Sequence, residues 1–150
     1  GLHIAYHDIK PMGDLLYRSY PSLLDLANAS DILLVACEGG EANRGLVDGK
    51  ALAALGPEGF LVNAARGPII DQPALISALR DGGIAGAAMD VFDGEPEVPA
   101  ELMAMENVVL TPHIASSTHE TRRAMADLVY DNIRAHFDGK PVLTPVPPQI

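Results

Sequence analysis

Three strand-length apolar runs each end on a group with acid, base or anion-binding chemistry. Arg66 closes the run in FLVNAARGPIID, Glu95 follows it in DVFDGEP, and His113 follows it in LTPHIASST. An arginine is always charged and offers a planar fork that matches a carboxylate. Left unpaired in a protein interior it is costly, so Arg66 must face an anion. That anion is either an internal partner, Glu95 or Asp90, or the carboxylate of a substrate. His113 is either an exposed or capped loop residue, or a proton donor that titrates near neutrality, at about 6.5 when unperturbed. Glu95 is either a solvated loop charge or the carboxylate that keeps His113 cationic. Taken together the three suit the reduction of a 2-oxo acid. Arg66 would hold the carboxylate, His113 would protonate the carbonyl oxygen, and Glu95 would maintain the imidazolium.

Further groups sit just after other apolar runs. Asp8 ends the first, where a dinucleotide-binding fold places the acid that hydrogen-bonds the adenosine ribose; an ordinary turn aspartate is the alternative. Cys37 and Glu38 follow DILLVA. Cys37, the only cysteine of the chain, reads first as a small apolar residue near a strand end. Asp90 precedes Glu95, and Asn43 is a turn residue or one that reaches a cofactor. His3, His7, His119 and His136 show no metal-ligand spacing, so no metal site is expected.

The elements that must position these groups alternate. Apolar runs at 2–6, 31–37, 59–64, 84–91 and 107–111 predict strands, and their near-continuous hydrophobicity predicts burial on both faces. Between them 22–29, 48–56 and 71–83 read as helices; in the last, Asp71 is an N-cap, Pro73 lies in the first turn and Gly82-Gly83 ends it. The alternation predicts an α/β fold, a Rossmann-like doubly wound parallel sheet with ligands beyond the carboxyl ends of its strands. No G-x-G-x-x-G occurs, so the first strand and glycine-rich phosphate loop of such a fold are expected upstream of residue 1. A long amphipathic helix is expected over 116–138, packing one face, with the proline-rich 139–150 as a tail. Residues 1–138 then form a partial dinucleotide-binding domain, and a substrate domain is absent from the chain.

Ten Lys and Arg against twenty Asp and Glu give a net charge of −10. Such a field repels nucleic-acid backbones and anionic membranes. With no membrane-length apolar run and no signal-like opening, a soluble, cytoplasmic protein is expected.

The run VNAARGPIIDQPALISALRDGGIAGAAMDVFDGEPEVP, with ENVVLTPHIASSTHETR, resembles the signature of the D-isomer-specific 2-hydroxyacid dehydrogenases, in the glyoxylate/hydroxypyruvate and hydroxyphenylpyruvate reductase branch. The resemblance implies catalytic roles for Arg66, Glu95 and His113. It places Asp8, Cys37, Glu38, Asn43, Ala64, Ala65 and Arg66 along the coenzyme and Asp90 near its nicotinamide amide. It further implies hydride transfer to a small 2-oxo acid and a homodimer. Asp8 favours NAD over NADP, although Lys10 lies nearby, and Glu38 stands where the family often has proline. Two rival readings remain: a non-catalytic, dinucleotide-dependent interaction module of the same fold, and a phosphoacceptor receiver-like domain, for which Arg66 and Thr111-Pro112 fit badly.

Overall fold

The structure, a computed structural model, describes residues 1–10, 13 and 15–146. Within Gly1–His113, one of two compact units, four strands form a fully parallel sheet in the order β3-β4-β5-β6. They are β3 (Ile32–Val35), β4 (Phe60–Asn63), β5 (Gly86–Met89) and β6 (Val108–Leu110). Parallel neighbours need a crossover. The connections carry α2 (Gly49–Leu55), α3 (Gln72–Arg80) and the short α4 (Ala100–Met103), while α1 (Leu23–Asn28) precedes β3. The expected α/β architecture is therefore present.

The helix starts follow from local chemistry. Ser22, Asp48 and Asp71 each turn a side-chain oxygen onto an otherwise unbonded N–H of the first turn, Asp48 serving both Lys50 and Ala51. Such caps stabilise a helix by about 1 kcal/mol each. Pro73 lies in the first turn of α3, where its missing N–H costs nothing.

The core lies on one face of the sheet. Leu33, Val35, Leu61, Ala87 and Met89 point into it against Ala51, Leu52, Leu55, Leu75 and Leu79 from α2 and α3, together with Ile69 and Ile70. The expectation of burial on both faces is not met. Ile32, Leu34, Phe60 and Val109 lie on the other face and are exposed. In register Ile32 pairs with Phe60, and the row Leu34, Val62, Ala88, Val109 crosses all four strands. The apolar runs are continuous because both faces are apolar, yet only one is covered among the described residues of this unit.

The first run also behaves differently from the expectation of a single sheet. Only Ala5–Tyr6 forms a strand, β1, and it pairs in parallel with β2 (Arg18–Ser19) as a separate two-stranded ladder. The ladder extends by one bond, from the Tyr20 N–H to the Tyr6 carbonyl.

The second unit, Ile114–Ile150, contains α5 (His119–Phe137), capped by Thr118 Oγ1 on the Thr121 N–H. Its apolar residues Met125, Leu128, Val129 and Ile133 are exposed and Ala135 is buried, so the expected packing of its apolar face is not seen. The start of the tail returns to the helix. Asn132 donates to Thr144 Oγ1 (3.0 Å) and accepts from the Thr144 N–H (3.1 Å). The tail's last four residues, 147–150, lie outside the described residues. Among the described residues no helix is long and apolar enough to cross a membrane, and no group of three or more His, Cys, Asp and Glu could hold a metal ion.

Candidate active site

The loop after β4 is shaped by one buried side chain. Asn63, the last residue of the strand, is fully buried. Its amide oxygen accepts from the Ala65 N–H (3.0 Å) and its amide nitrogen donates to the Arg66 carbonyl (3.1 Å). A buried amide satisfied at both ends is a rigid brace, because breaking either bond strands a polar group away from water. Nothing in the apolar pattern singled Asn63 out. The signal was an Asn where the strand pattern asks for an apolar residue.

Arg66 emerges from this brace exposed, not buried. Its Nη1 donates to the Ala65 carbonyl (2.6 Å), and among the described residues it makes no ion pair with Glu95. The Arg66 stem runs past Gly39, where an added Cβ would come within 2.7 Å of Arg66 Cγ. Gly39 thus gives the arginine passage.

Glu95 and His113 meet. His113 Nδ1 donates to Glu95 Oε2 at 2.7 Å, and the other carboxylate oxygen, Oε1, accepts from the Phe92 N–H at 2.9 Å. The hydrogen bond from His113 and then the Phe92 N–H, with lesser help from the charges of His113 and Arg66, hold the Glu95 carboxyl below the usual carboxylate range, against the opposing effect of burial. Neither side chain is sealed off, with 33% of Glu95 and 48% of His113 exposed. The His113 backbone has φ 53°, in the left-handed region that few residues other than Gly, Asn, Asp and His enter. Its N–H bonds back to the Thr111 carbonyl (3.1 Å).

Asp90 is buried at the end of β5, where its N–H bonds to the Asn63 carbonyl (2.9 Å) and its carboxylate accepts from the Thr111 hydroxyl. Thr111 therefore ties the acid after β5 to the turn that presents His113, a link not foreseen from the sequence.

Beyond β3 and β4 lies a cleft of about 920 Å³ lined by Cys37, Glu38, Gly39, Gly40, Ala64, Ala65 and Arg66, with Glu41 and Arg44 also on its wall. Cys37 is exposed there, and burial, opposed by its own backbone hydrogen bond and aided by the charge of Asp8, pushes its thiol up. Asp8 itself is exposed and caps a turn, accepting from the Lys10 N–H at 2.9 Å. The Asn43 amide donates to the Glu38 carbonyl (2.8 Å), so it shapes the wall from behind. Asp8, Asn43, Asp90, Glu95 and His113 do not line the cleft; Cys37, Glu38, Ala64, Ala65 and Arg66 do.

Comparison with known proteins shows the family of the chain. Residues 1–115 match the model of the D-isomer specific 2-hydroxyacid dehydrogenase, NAD binding domain. A glyoxylate/hydroxypyruvate reductase A of Arabidopsis thaliana is 55% identical over 138 residues, 92% of this chain and 44% of that protein. A hydroxyphenylpyruvate reductase of Plectranthus scutellarioides is 49% identical, over 95% of this chain and 46% of that protein. Among solved structures, an NADPH-dependent glyoxylate/hydroxypyruvate reductase from Sinorhizobium meliloti, in complex with NADP and malonate, superposes with a TM-score of 0.94 at 45% identity, covering 97% of this chain and 46% of that one. The chain thus spans a little under half the length of these relatives. It belongs to the D-isomer specific 2-hydroxyacid dehydrogenase family, whose NAD-binding domain its residues 1–115 match.

Proposed function

We propose that this chain is the coenzyme-binding part of an oxidoreductase that moves a hydride between a nicotinamide coenzyme and a small 2-oxo or 2-hydroxy acid of the glyoxylate or hydroxypyruvate type, with D stereospecificity. The observation that carries the reading is the 2.7 Å bond between His113 and Glu95, with the exposed guanidinium of Arg66 close enough to influence Glu95. Arg66 holds the substrate carboxylate through its planar fork. His113 gives a proton to the carbonyl oxygen during reduction and takes it back during oxidation. Glu95 stabilises the imidazolium and fixes which ring nitrogen faces the substrate, because Nδ1 is engaged and Nε2 is left to act.

The residues present fit a dinucleotide. The cleft wall of Gly39, Gly40, Ala64 and Ala65 carries almost no side chain, so a ligand can approach the backbone closely, and an added Cβ at Gly39 would strike Arg66. When bound, the coenzyme supplies or accepts the hydride. Asp8 would offer a carboxylate oxygen to a ribose hydroxyl and repel a 2′-phosphate, which favours NAD over NADP. Asp90, oriented by Thr111, would hold the nicotinamide amide when the coenzyme is bound. In this reading residues 1–138 form the coenzyme domain and 139–150 a tail, the protein is a homodimer, and it works in the cytoplasm.

The deciding experiment is reduction of hydroxypyruvate and glyoxylate by the full-length protein that carries this chain, with NADH and NADPH compared. Turnover with NADH preferred supports both parts of the proposal. Preference for NADPH keeps the chemistry and overturns the role of Asp8. Dinucleotide binding with no turnover of any small 2-oxo acid would return the non-catalytic interaction module.

A further inference from the structure

Glu95 stands on a loop whose residues 93–97 are all exposed, and a catalytic carboxylate on such a loop needs something to hold it. The turn between the Gly94 carbonyl and the Glu97 N–H, at 3.3 Å, closes the loop on itself without fixing its position. Two features from outside the loop do fix it.

The first is a floor. Gly67, the residue after Arg66, lies so close to the loop that an added Cβ would fall 2.0 Å from the Phe92 carbonyl carbon and 2.4 Å from the Asp93 nitrogen. The backbone that presents Arg66 is thus packed directly under the backbone that leads to Glu95.

The second is a grip from the side. Gln72 is the first residue of α3, anchored by the Asp71 cap behind it and by the bond from the Asp71 N–H to the Val47 carbonyl (3.0 Å). Its amide oxygen accepts from the Asp93 N–H at 3.2 Å, and its amide nitrogen donates to the Asp93 carbonyl at 3.5 Å. The carboxamide addresses both sides of one residue's backbone, as a neighbouring strand would. The first bond is the stronger, since the second is at the outer limit of hydrogen-bond length. Arg44 adds an ion pair to the Asp93 carboxylate at 3.4 Å with both side chains about half exposed, so solvent screens it and it is the weakest of the three ties.

We propose that Gln72 is a positioning residue for the acid–base pair: by gripping the Asp93 backbone above Gly67 it sets the place of the Glu95 carboxylate relative to His113 and Arg66. Asp93 is two residues from Glu95, and Glu95 is bonded to the Phe92 N–H on the other side. Movement at Asp93 therefore carries the carboxylate with it. Gln72 touches neither substrate nor coenzyme in this scheme. The proposal rests on the assignment of Glu95 and His113 made above.

The test uses the full-length protein carrying this chain. Gln72→Met keeps the side-chain length and removes both bonds; Gln72→Glu keeps the acceptor for the Asp93 N–H. Loss of one neutral hydrogen bond corresponds to about a three- to tenfold fall in kcat with hydroxypyruvate. The expected pattern is such a fall for Gln72→Met with the coenzyme KM unchanged, and recovery to within about twofold for Gln72→Glu. In a Glu95→Gln background, Gln72→Met should add no further loss, because the group it positions is already gone. An equal loss in that background, or an unchanged kcat, overturns the proposal. A second readout does not depend on turnover: the ring-nitrogen chemical shifts of His113, which report its bond to Glu95. They should move in Gln72→Met and stay near wild type in Gln72→Glu. Unmoved shifts in Gln72→Met overturn the grip. Moved shifts in a protein that reduces no 2-oxo acid keep the grip and discard the assigned reaction.

Discussion

Glu95 accepts on both oxygens, from His113 and from the Phe92 N–H, and this double engagement has consequences for both pH dependence and stability. Its carboxyl is held down in the folded state, so the stability it contributes is fully present above the unfolded carboxyl range, at about 4.3, and is lost as pH falls through the lower folded value. Denaturation midpoints of wild type and Glu95→Gln should therefore differ at neutral pH and converge in acid. A gap that stays constant down to the acid-unfolding region would count against the assignment. In turnover, Glu95→Gln should shift the pH profile of reduction to lower pH, because the neutral amide no longer favours imidazolium; an unshifted profile would remove Glu95 from the mechanism. For Arg66→Lys, the loss of the planar fork should lower kcat/KM for the 2-oxo acid about ten- to hundredfold, the equivalent of one charge-assisted hydrogen bond. Coenzyme affinity should change much less. Equal losses for both ligands would mean that Arg66 supports the cleft and does not select the carboxylate.

Helices and strands were legible where local chemistry announces them. The Asp71 cap, Pro73 in the first turn and the glycine pair marked α3 in the sequence, and the cap is seen bonding the Ala74 N–H at 3.1 Å. Asp71→Ala should lower stability by about 1 kcal/mol, read as a shift in denaturation midpoint with unchanged slope; an unchanged midpoint would leave the cap without energetic weight. The four central strands likewise follow their apolar runs. What stayed hidden depends on partners distant in sequence. β2, with two residues, and α4, with four, are too short to produce a periodic pattern. The run at 2–6 gave only a two-residue strand, paired with the equally short β2. Gly67 and Gln72 matter through contacts with residues twenty-one to twenty-six positions away, and no local pattern reports those. Of the site, the Glu95 and His113 pairing was anticipated, whereas the exposure of Arg66, the tie from Thr111 to Asp90 and the structural bond of Asn43 were not.

Taken as a chain of 150 residues, the protein leaves an apolar sheet face in the open, with Leu34 at 61% and Val109 at 64% exposure. Contiguous apolar surface of this kind is uncommon on a soluble monomer and is a point of association or aggregation. In isolation the chain should bind a hydrophobic reporter dye. Leu34→Lys combined with Val109→Lys should reduce the dye signal severalfold while changing the unfolding temperature little, since neither side chain is in the core. Undiminished binding would locate the exposed apolar surface elsewhere, with the stripe of Met125, Leu128, Val129 and Ile133 on α5 the next to test.

The Asn63 brace sets a rule about length as well as shape. Its two bonds close a small ring between the end of β4 and Arg66, and a ring of fixed circumference cannot take an extra link. Ala64 and Ala65 can therefore change identity more readily than the segment can change size. A one-residue insertion there would swing the guanidinium away from the cleft, whereas the same insertion at Pro57-Glu58, before β4, leaves the ring whole. Natural variation that lengthens this region should gather upstream of the strand, with the three steps from Asn63 to Arg66 kept as a fixed measure.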